Sequence, residues 1–252
     1  MKSVELLESH TWQPFAYFNI TNSYFDIIAS TVINTWVVLF FLLIALLVGR
    51  YLLIHRPGRP QFIVTMLANQ LVGLTTQVLG VFSFTHCAFI SALFIFIFFC
   101  NAISLIPWFE EPTKDLNTTL ALGFISFFYV QFFAIKVQGT KGYIKEYFSP
   151  FFIMFPLHIV GKLSSVISIS FRLFGNIFGG ATIASLYFGA LRGSIIFESL
   201  GLLSGTNLVI TLFFGLFEGF LQAFVFTMLS ATYLSIAITP HSAHEGEDMG
   251  AM

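Results

Sequence analysis

Charge is what this chain has least of. Only 9% of its 252 residues are Asp, Glu, Lys or Arg, while 57% are hydrophobic, 34 are phenylalanine and the mean hydropathy is +0.88. Several apolar runs exceed the ~20 residues that carry a helix across a bilayer, which excludes a soluble globule. Cysteine is scarce too. Cys87 and Cys100 lie in or beside one apolar segment, where two thiols make neither a disulfide framework nor a metal pair and read as small buried hydrophobes. A phosphate-binding GxxxxGK[ST], a metal-ligand cluster and a nucleophile beside a base are all missing, so neither self-contained catalysis nor a cofactor site is expected. The ten-residue alternation of outer-membrane strands is missing as well, which leaves helices rather than a barrel. Residues 1–27 lack the basic start, short apolar core and small-residue cleavage site of a secretory signal and read as a retained arm.

What is present reads as an all-α polytopic membrane protein in one membrane domain. The expected parts are an outer arm over 1–27, a helical membrane region over 28–239 and a tail over 240–252. A first span runs from Ile27 to about Leu47 and is closed by Arg50, His55, Arg56 and Arg59. Residues 61–80 are interrupted by Asn69, Gln70, Thr75, Thr76 and Gln77, which fits an interfacial or partly buried helix better than a lipid-facing span. Further spans cover His86 to Ile106 and Thr118 to about Val137. Two long stretches follow, Phe151 to Leu191 and Asn207 to Ile238, joined by a link with Arg192, Glu198 and Ser204. A 30-residue helix measures about 45 Å against a hydrocarbon core of about 30 Å. These two must therefore tilt strongly, break or begin with an extra turn, and Pro150, Pro156 and Gly161 mark a candidate break. They are expected to form an antiparallel hairpin.

About five crossings put the two ends on opposite sides. Arg50, Arg56, Arg59, Lys136, Lys141 and Lys145 fall on one side and Lys2, Lys114 and Arg192 on the other, so the N-terminus is expected outside and the C-terminus in the cytoplasm. The tail from His241 to Asp248 reads as solvated and acidic, with its two histidines the alternative metal ligands.

Arg172 stands inside the first long stretch. An arginine at the bilayer centre costs roughly 2.5–3.5 kcal/mol, so it marks a functional site by default. Ser165, Ser168, Arg172, Asn176 and Gly179 follow at steps of three or four and share one helix face. Guanidinium does not deprotonate and offers only donors, so Arg172 must attract or hold an anion rather than relay a proton. The one clear carboxylate within a membrane stretch is Glu218, with Gln222 a turn further on. In an antiparallel hairpin Asn176, Glu218, Gln222 and Arg172 would cluster. The anion is then either Glu218 or a group brought by a partner. Gly175/Gly179 and Gly215/Gly219 read as close approach of another helix or as packing inside the hairpin.

Phe171-Arg-Leu-Phe-Gly-Asn176, followed by Leu221-Gln-Ala-Phe-Val-Phe-Thr227 and Tyr233-Leu234, closely resembles subunit a of the rotary F-type ATP synthase. Asn101-Ala-Ile-Ser-Leu-Ile-Pro107 and Lys114-Asp-Leu-Asn-Thr-Thr119 look like that family's second span and following loop. The resemblance is strong from about residue 98 to 239. It implies a stator facing a ring of c subunits and supplying two offset aqueous half-channels. The further partners it implies are the b-subunit peripheral stalk, the rest of the complex and membrane lipid, with no nucleic acid; it also implies a bacterial inner membrane.

By the same resemblance Arg172 matches the essential arginine, which favours an ionised ring carboxylate and blocks leakage between half-channels. Asn176 and Gln222 match positions beside the arginine and in the outer half-channel, Asn101 a polar position on the second span, and Ser168 a cytoplasmic-side lining. Three departures matter. Ala181 and Gly215 stand where many members carry acidic or imidazole groups, and His158 where Glu is frequent. Glu218 is expected to take over as the outer titrating group, with His158 serving near the cytoplasmic exit, where imidazole titrates in the useful range. The rivals are a secondary transporter using Arg172 to bind an anionic substrate, for which no internal repeat is visible, and an anchor that conducts nothing, which leaves the polar stripe unexplained.

Overall fold

The computed structural model describes residues 11–12, 27–55, 58–106, 109–148, 151, 153–191, 199, 203 and 205–239. The acidic tail, most of the arm and most of the 192–204 link fall outside these. Helix α1 covers Ala29–His55, α2 Arg59–Leu79 and α3 Phe84–Ala102, extended by a 3-10 turn at Ile103–Leu105. A second 3-10 turn at Pro112–Lys114 precedes α4, Leu116–Phe148. Helix α5 covers Met154–Leu191 and α6 Thr206–Ile238, whose stretch Phe213–Glu218 is π-helical. Thr11–Trp12 pairs with Ile27–Ile28 in a two-residue antiparallel ribbon before α1.

All six helices are long and apolar enough to cross a membrane. Their contacts separate five from one. Val38 of α1 packs with Cys100 and Ile103 at the end of α3, and Asn101 bonds to Gly219 of α6, which defines one end of the bundle. At the other end His86 of α3 meets Tyr129 of α4 at 3.0 Å, beside a cluster of Leu79, Val130 and Leu234. Helices α1, α3, α4, α5 and α6 run between these ends. Helix α2 does not: Val64 lies beside Gly49, well down α1, while Leu79 is already in the cluster at the lower end. Both halves of α2 therefore sit at one level of the bundle, as an interfacial or partly buried helix over 61–80 would. Pro60 starts it in the first turn, where a missing N–H costs nothing, and Gly80 stops it with φ 71°.

Helix α4 departs from its expected end near Val137 by one residue or so. Gly139 takes φ 74°, a conformation glycine adopts freely, and breaks the helix there. The segment beyond folds back, since Tyr143 Oη donates to Gln131 Oε1, a pair about 18 Å apart in a straight helix. Helix α5 has no break: Pro156 is its third residue, where the N–H would be unpaired anyway. Its 38 residues extend about 57 Å, so tilt takes up the excess.

The core lies where α3, α4, α5 and α6 meet, around Leu93, Ile97, Leu122, Ile169, Leu173, Ile177, Ala223 and Phe226. Apolar side chains cover the outer walls, as a lipid surround requires. Ser126 Oγ donates to Ser230 Oγ at 2.8 Å across α4 and α6, fully buried.

Candidate functional site: a polar stripe between two cavities

Helix α5 has two distinct faces. Val166, Ile169, Ser170, Leu173, Ile177 and Gly180 are buried against the core. Ser168, Arg172, Gly175 and Asn176 lie on the exposed side, because the polar residues recur at the same three-to-four spacing but out of phase with the apolar ones. Among the described residues Arg172 makes no hydrogen bond, ion pair or ring contact.

The expected antiparallel hairpin is present, but the expected four-residue cluster divides. Asn176 Nδ2 donates to Gln222 Oε1 at 2.7 Å, and Tyr187 Oη donates to Asn207 Oδ1 at 3.1 Å further out. Glu218 faces Gly180, whose added Cβ would lie 3.0 Å from Glu218 Oε2. Gly180 is two turns beyond Arg172, about 12 Å along α5, so Arg172 and Glu218 end on opposite sides of the Asn176–Gln222 bond. Of the two anions open to Arg172, the internal one is thereby removed. Gln222 is 3% exposed and its Nε2 has no partner among the described residues, a buried donor of the kind that water satisfies.

The two glycine pairs also resolve. Nothing lies within 4 Å of a Cβ added at Gly175 or Gly179, so that side of α5 is open to an approaching surface. Gly215 and Gly219 serve packing within the chain: added Cβ atoms would meet Leu105 Cδ2 at 3.0 Å and Asn101 Cβ at 2.7 Å. The absence of a larger group at 215 thus has a steric reason.

Two cavities flank the arginine. One, at the Asn101 end of the bundle and named outer for the side the basic residues lead one to expect, has about 180 Å³ and is lined by Ser104, Glu111, Gly180, Ala181, Thr211 and Glu218 among others. Ala181 and Gly215, the two departures from the acidic or imidazole pattern, both line this cavity, and so does Glu218. The inner one, about 150 Å³, lies between α4, α5 and α6 and is lined by Ser126, Gln131, Gln138, Lys162 and Ser165 among others. On α5 the outer cavity begins at Ile177 and the inner one ends at Ile169. Arg172 falls between them and lines neither.

Asn101 and His158 are held in ways that composition could not reveal. Asn101, 1% exposed, donates from Nδ2 to the Gly219 carbonyl at 3.1 Å and accepts from Thr113 Oγ1 at 2.6 Å. It clamps the end of α3, the outer loop and α6 together. His158 Nδ1 lies 3.2 Å from the Tyr147 carbonyl and does not reach the inner cavity. The group that does is Lys162, one turn on, whose Nζ sits 4.2 Å from the Tyr147 ring centroid and 4.9 Å from that of Tyr143. The sequence alone assigns Lys162 no role, because its partners come from the fold-back after Gly139.

Fold and site together define a multi-pass helical membrane protein with a cation on its lateral wall that has no partner among the described residues, and a cavity on either side of it. A family model described as ATP synthase A chain matches residues 30–235, and the chain belongs to that family. Among curated relatives it is 33% identical over 218 residues to ATP synthase subunit a of Moorella thermoacetica, covering 85% of this chain and 93% of that one. It is 30% identical over 223 residues to ATP synthase subunit a 2 of a Picosynechococcus species, covering 85% and 88%. With ATP synthase subunit a of Desulforamulus reducens it shares 32% over 229 residues, 86% and 80% of the two chains.

Proposed function

We propose that this chain is the stator subunit of the proton-translocating membrane sector of ATP synthase. Arg172 faces the membrane-embedded carboxylates of a rotating ring of c subunits. The observation that carries this reading is the exposed guanidinium on an apolar wall, without a partner among the described residues. Such a charge in lipid is costly unless an anion from outside the chain meets it, and the open Gly175/Gly179 side lets a helix approach closely.

Protons enter from the outside through the cavity at Glu218, pass the Asn176–Gln222 pair and neutralise a ring carboxylate. That carboxylate then faces lipid for most of a turn. It releases its proton on the inner side, where Ser168 and the inner cavity line the way and His158 stands at the exit end of α5. A neighbouring cation favours the ionised carboxylate and burial favours the neutral one, so passage by Arg172 turns uptake into release. Arg172 also blocks ions from moving directly between the cavities. Asn101 holds the outer loop against this path. The b-subunit stalk and the soluble head complete the machine. The membrane is the bacterial inner membrane, with the N-terminus outside and the C-terminus in the cytoplasm; five crossings and the basic residues at the α1, α2 and α4 ends support that orientation. A transporter reading, in which Arg172 binds a small anion, gains no support, since Arg172 lines neither cavity.

The test is ATP-driven proton pumping in inverted vesicles carrying the assembled complex with Arg172→Ala, alongside passive proton leak after the soluble head is removed. Loss of pumping with assembly intact is the expected result. Pumping at the normal rate would reduce Arg172 to a structural residue and sink the stator reading.

A further inference from the structure

Glu218 is not the only carboxylate in the outer cavity. Glu111, from the loop between α3 and α4, lines the same space, although 107 positions separate the two in sequence. The loop is placed there by identifiable bonds. Thr113 Oγ1 donates to Asn101, Asn101 Nδ2 donates to the Gly219 carbonyl beside Glu218, and the Lys114 amide donates to the Glu111 carbonyl at 3.1 Å. Ser104 and Thr211 add hydroxyls to the lining, and about 180 Å³ holds several waters. Glu111 itself is partly exposed, on the loop side of the cavity, whereas Glu218 belongs to the membrane-spanning part of α6.

Among the described residues the charges around Glu111 leave it available. Lys114 Nζ is 3.7 Å from Glu110 Oε2, so the loop's cation is engaged by a different carboxylate. Asp115 Oδ1 accepts the Asn117 amide at 3.0 Å. Helix α1 carries no charged residue before Arg50, and α5 contributes only apolar side chains and glycine to the cavity wall. On α6 the facing titratable group is Glu218.

From this placement we infer that Glu111 is a proton-collecting carboxylate at the mouth of the outer path and hands protons through cavity water to Glu218. The inference rests on the outer-path reading of Glu218. A hydronium gives its proton to the Glu111 carboxylate and leaves as water. Glu111 then passes the proton to cavity water and on to the Glu218 carboxylate, and returns to its anionic form. When protons are plentiful the step is dispensable. As the source side becomes alkaline, an anion at the mouth raises local proton occupancy by about threefold, the enrichment one charge gives at roughly 7 Å in water.

The experiment reconstitutes the whole complex in liposomes. ATP synthesis is driven by an imposed potential and a fixed pH difference while the pH of the source side is varied. Glu111→Gln is expected to match the unaltered complex at acidic source pH and to fall about threefold below it on the alkaline limb, with Glu111→Asp restoring that limb. Glu111→Cys treated with an anionic thiosulfonate should recover the alkaline limb, and a cationic reagent should not. An unchanged pH profile in Glu111→Gln, with Arg172→Ala and Glu218→Gln both inactive, overturns the role of Glu111 and leaves the outer-path reading standing. A loss that is uniform in pH and unaffected by reagent charge overturns it too, by showing a structural part only. Normal synthesis in Glu218→Gln sinks the outer-path reading and this inference with it.

Discussion

A carboxylate moved from position 218 to position 181 would still face the same water, because Ala181 and Glu218 line one cavity from neighbouring helices. Glu218→Gln is expected to lower ATP-driven pumping by about a hundredfold, the scale of a lost proton-transfer group. Adding Ala181→Glu in that background should return a measurable share of it. Pumping in inverted vesicles, with assembly checked on the same membranes, reads both results. An assembled double variant as inactive as Glu218→Gln would show that the position, not only the carboxylate, is required. Arg172 and its stripe were legible in the sequence because a charge inside a membrane-length apolar run is expensive and its companions keep helical spacing. The clamp at Asn101 was not, since its meaning depends on Gly219, 118 positions away. Nor could sequence separate the glycine pairs, which have the same spacing and opposite surroundings.

At the scale of elements, α2 is the instructive case. Its length and hydropathy are those of a span, yet Asn69, Gln70 and Gln77 interrupt it, and the contacts of Val64 and Leu79 keep it at one end of the bundle. Single cysteines at Gly58 and Gln70, both exposed, are therefore expected to react with a membrane-impermeant thiol reagent from the same face of the membrane. Reaction of the two from opposite faces would make α2 a crossing and reverse the side assigned to one terminus. The spans and the long hairpin were readable because apolar length is a property of the local sequence. The fold-back at Gly139 was not, because an isolated glycine inside a helical pattern is tolerated and does not by itself mark a break. The π-helical stretch Phe213–Glu218 likewise follows from how α6 packs on Ser104, Leu105 and Asn101 rather than from any local composition. It widens the helix where Glu218 must reach the cavity, a setting in which such stretches recur.

For the whole molecule, apolar side chains exposed on α1 and on α5 look alike by area, but α5 carries Arg172 in the middle of them, whereas the arginine of α1, Arg50, stands near that helix's end. Phe40 of α1 is 60% exposed and Ile183 of α5 55% exposed, and Ile183 continues the line of Arg172 and Gly179 along the helix. If the α5 wall is covered by the ring, Ile183→Cys should resist a lipid-soluble maleimide in the intact complex and react when the ring is absent. Phe40→Cys, facing lipid either way, should react in both. The native thiols give no background, since Cys87 is 3% exposed and Cys100 fully buried. Equal labelling of Ile183→Cys with and without the ring would leave the guanidinium facing lipid, an arrangement whose cost nothing else in the described fold offsets. Protection that persists without the ring would point to another occupant of the same face. Only protection that comes and goes with the ring matches a stator whose polar stripe is completed by the carboxylates passing it.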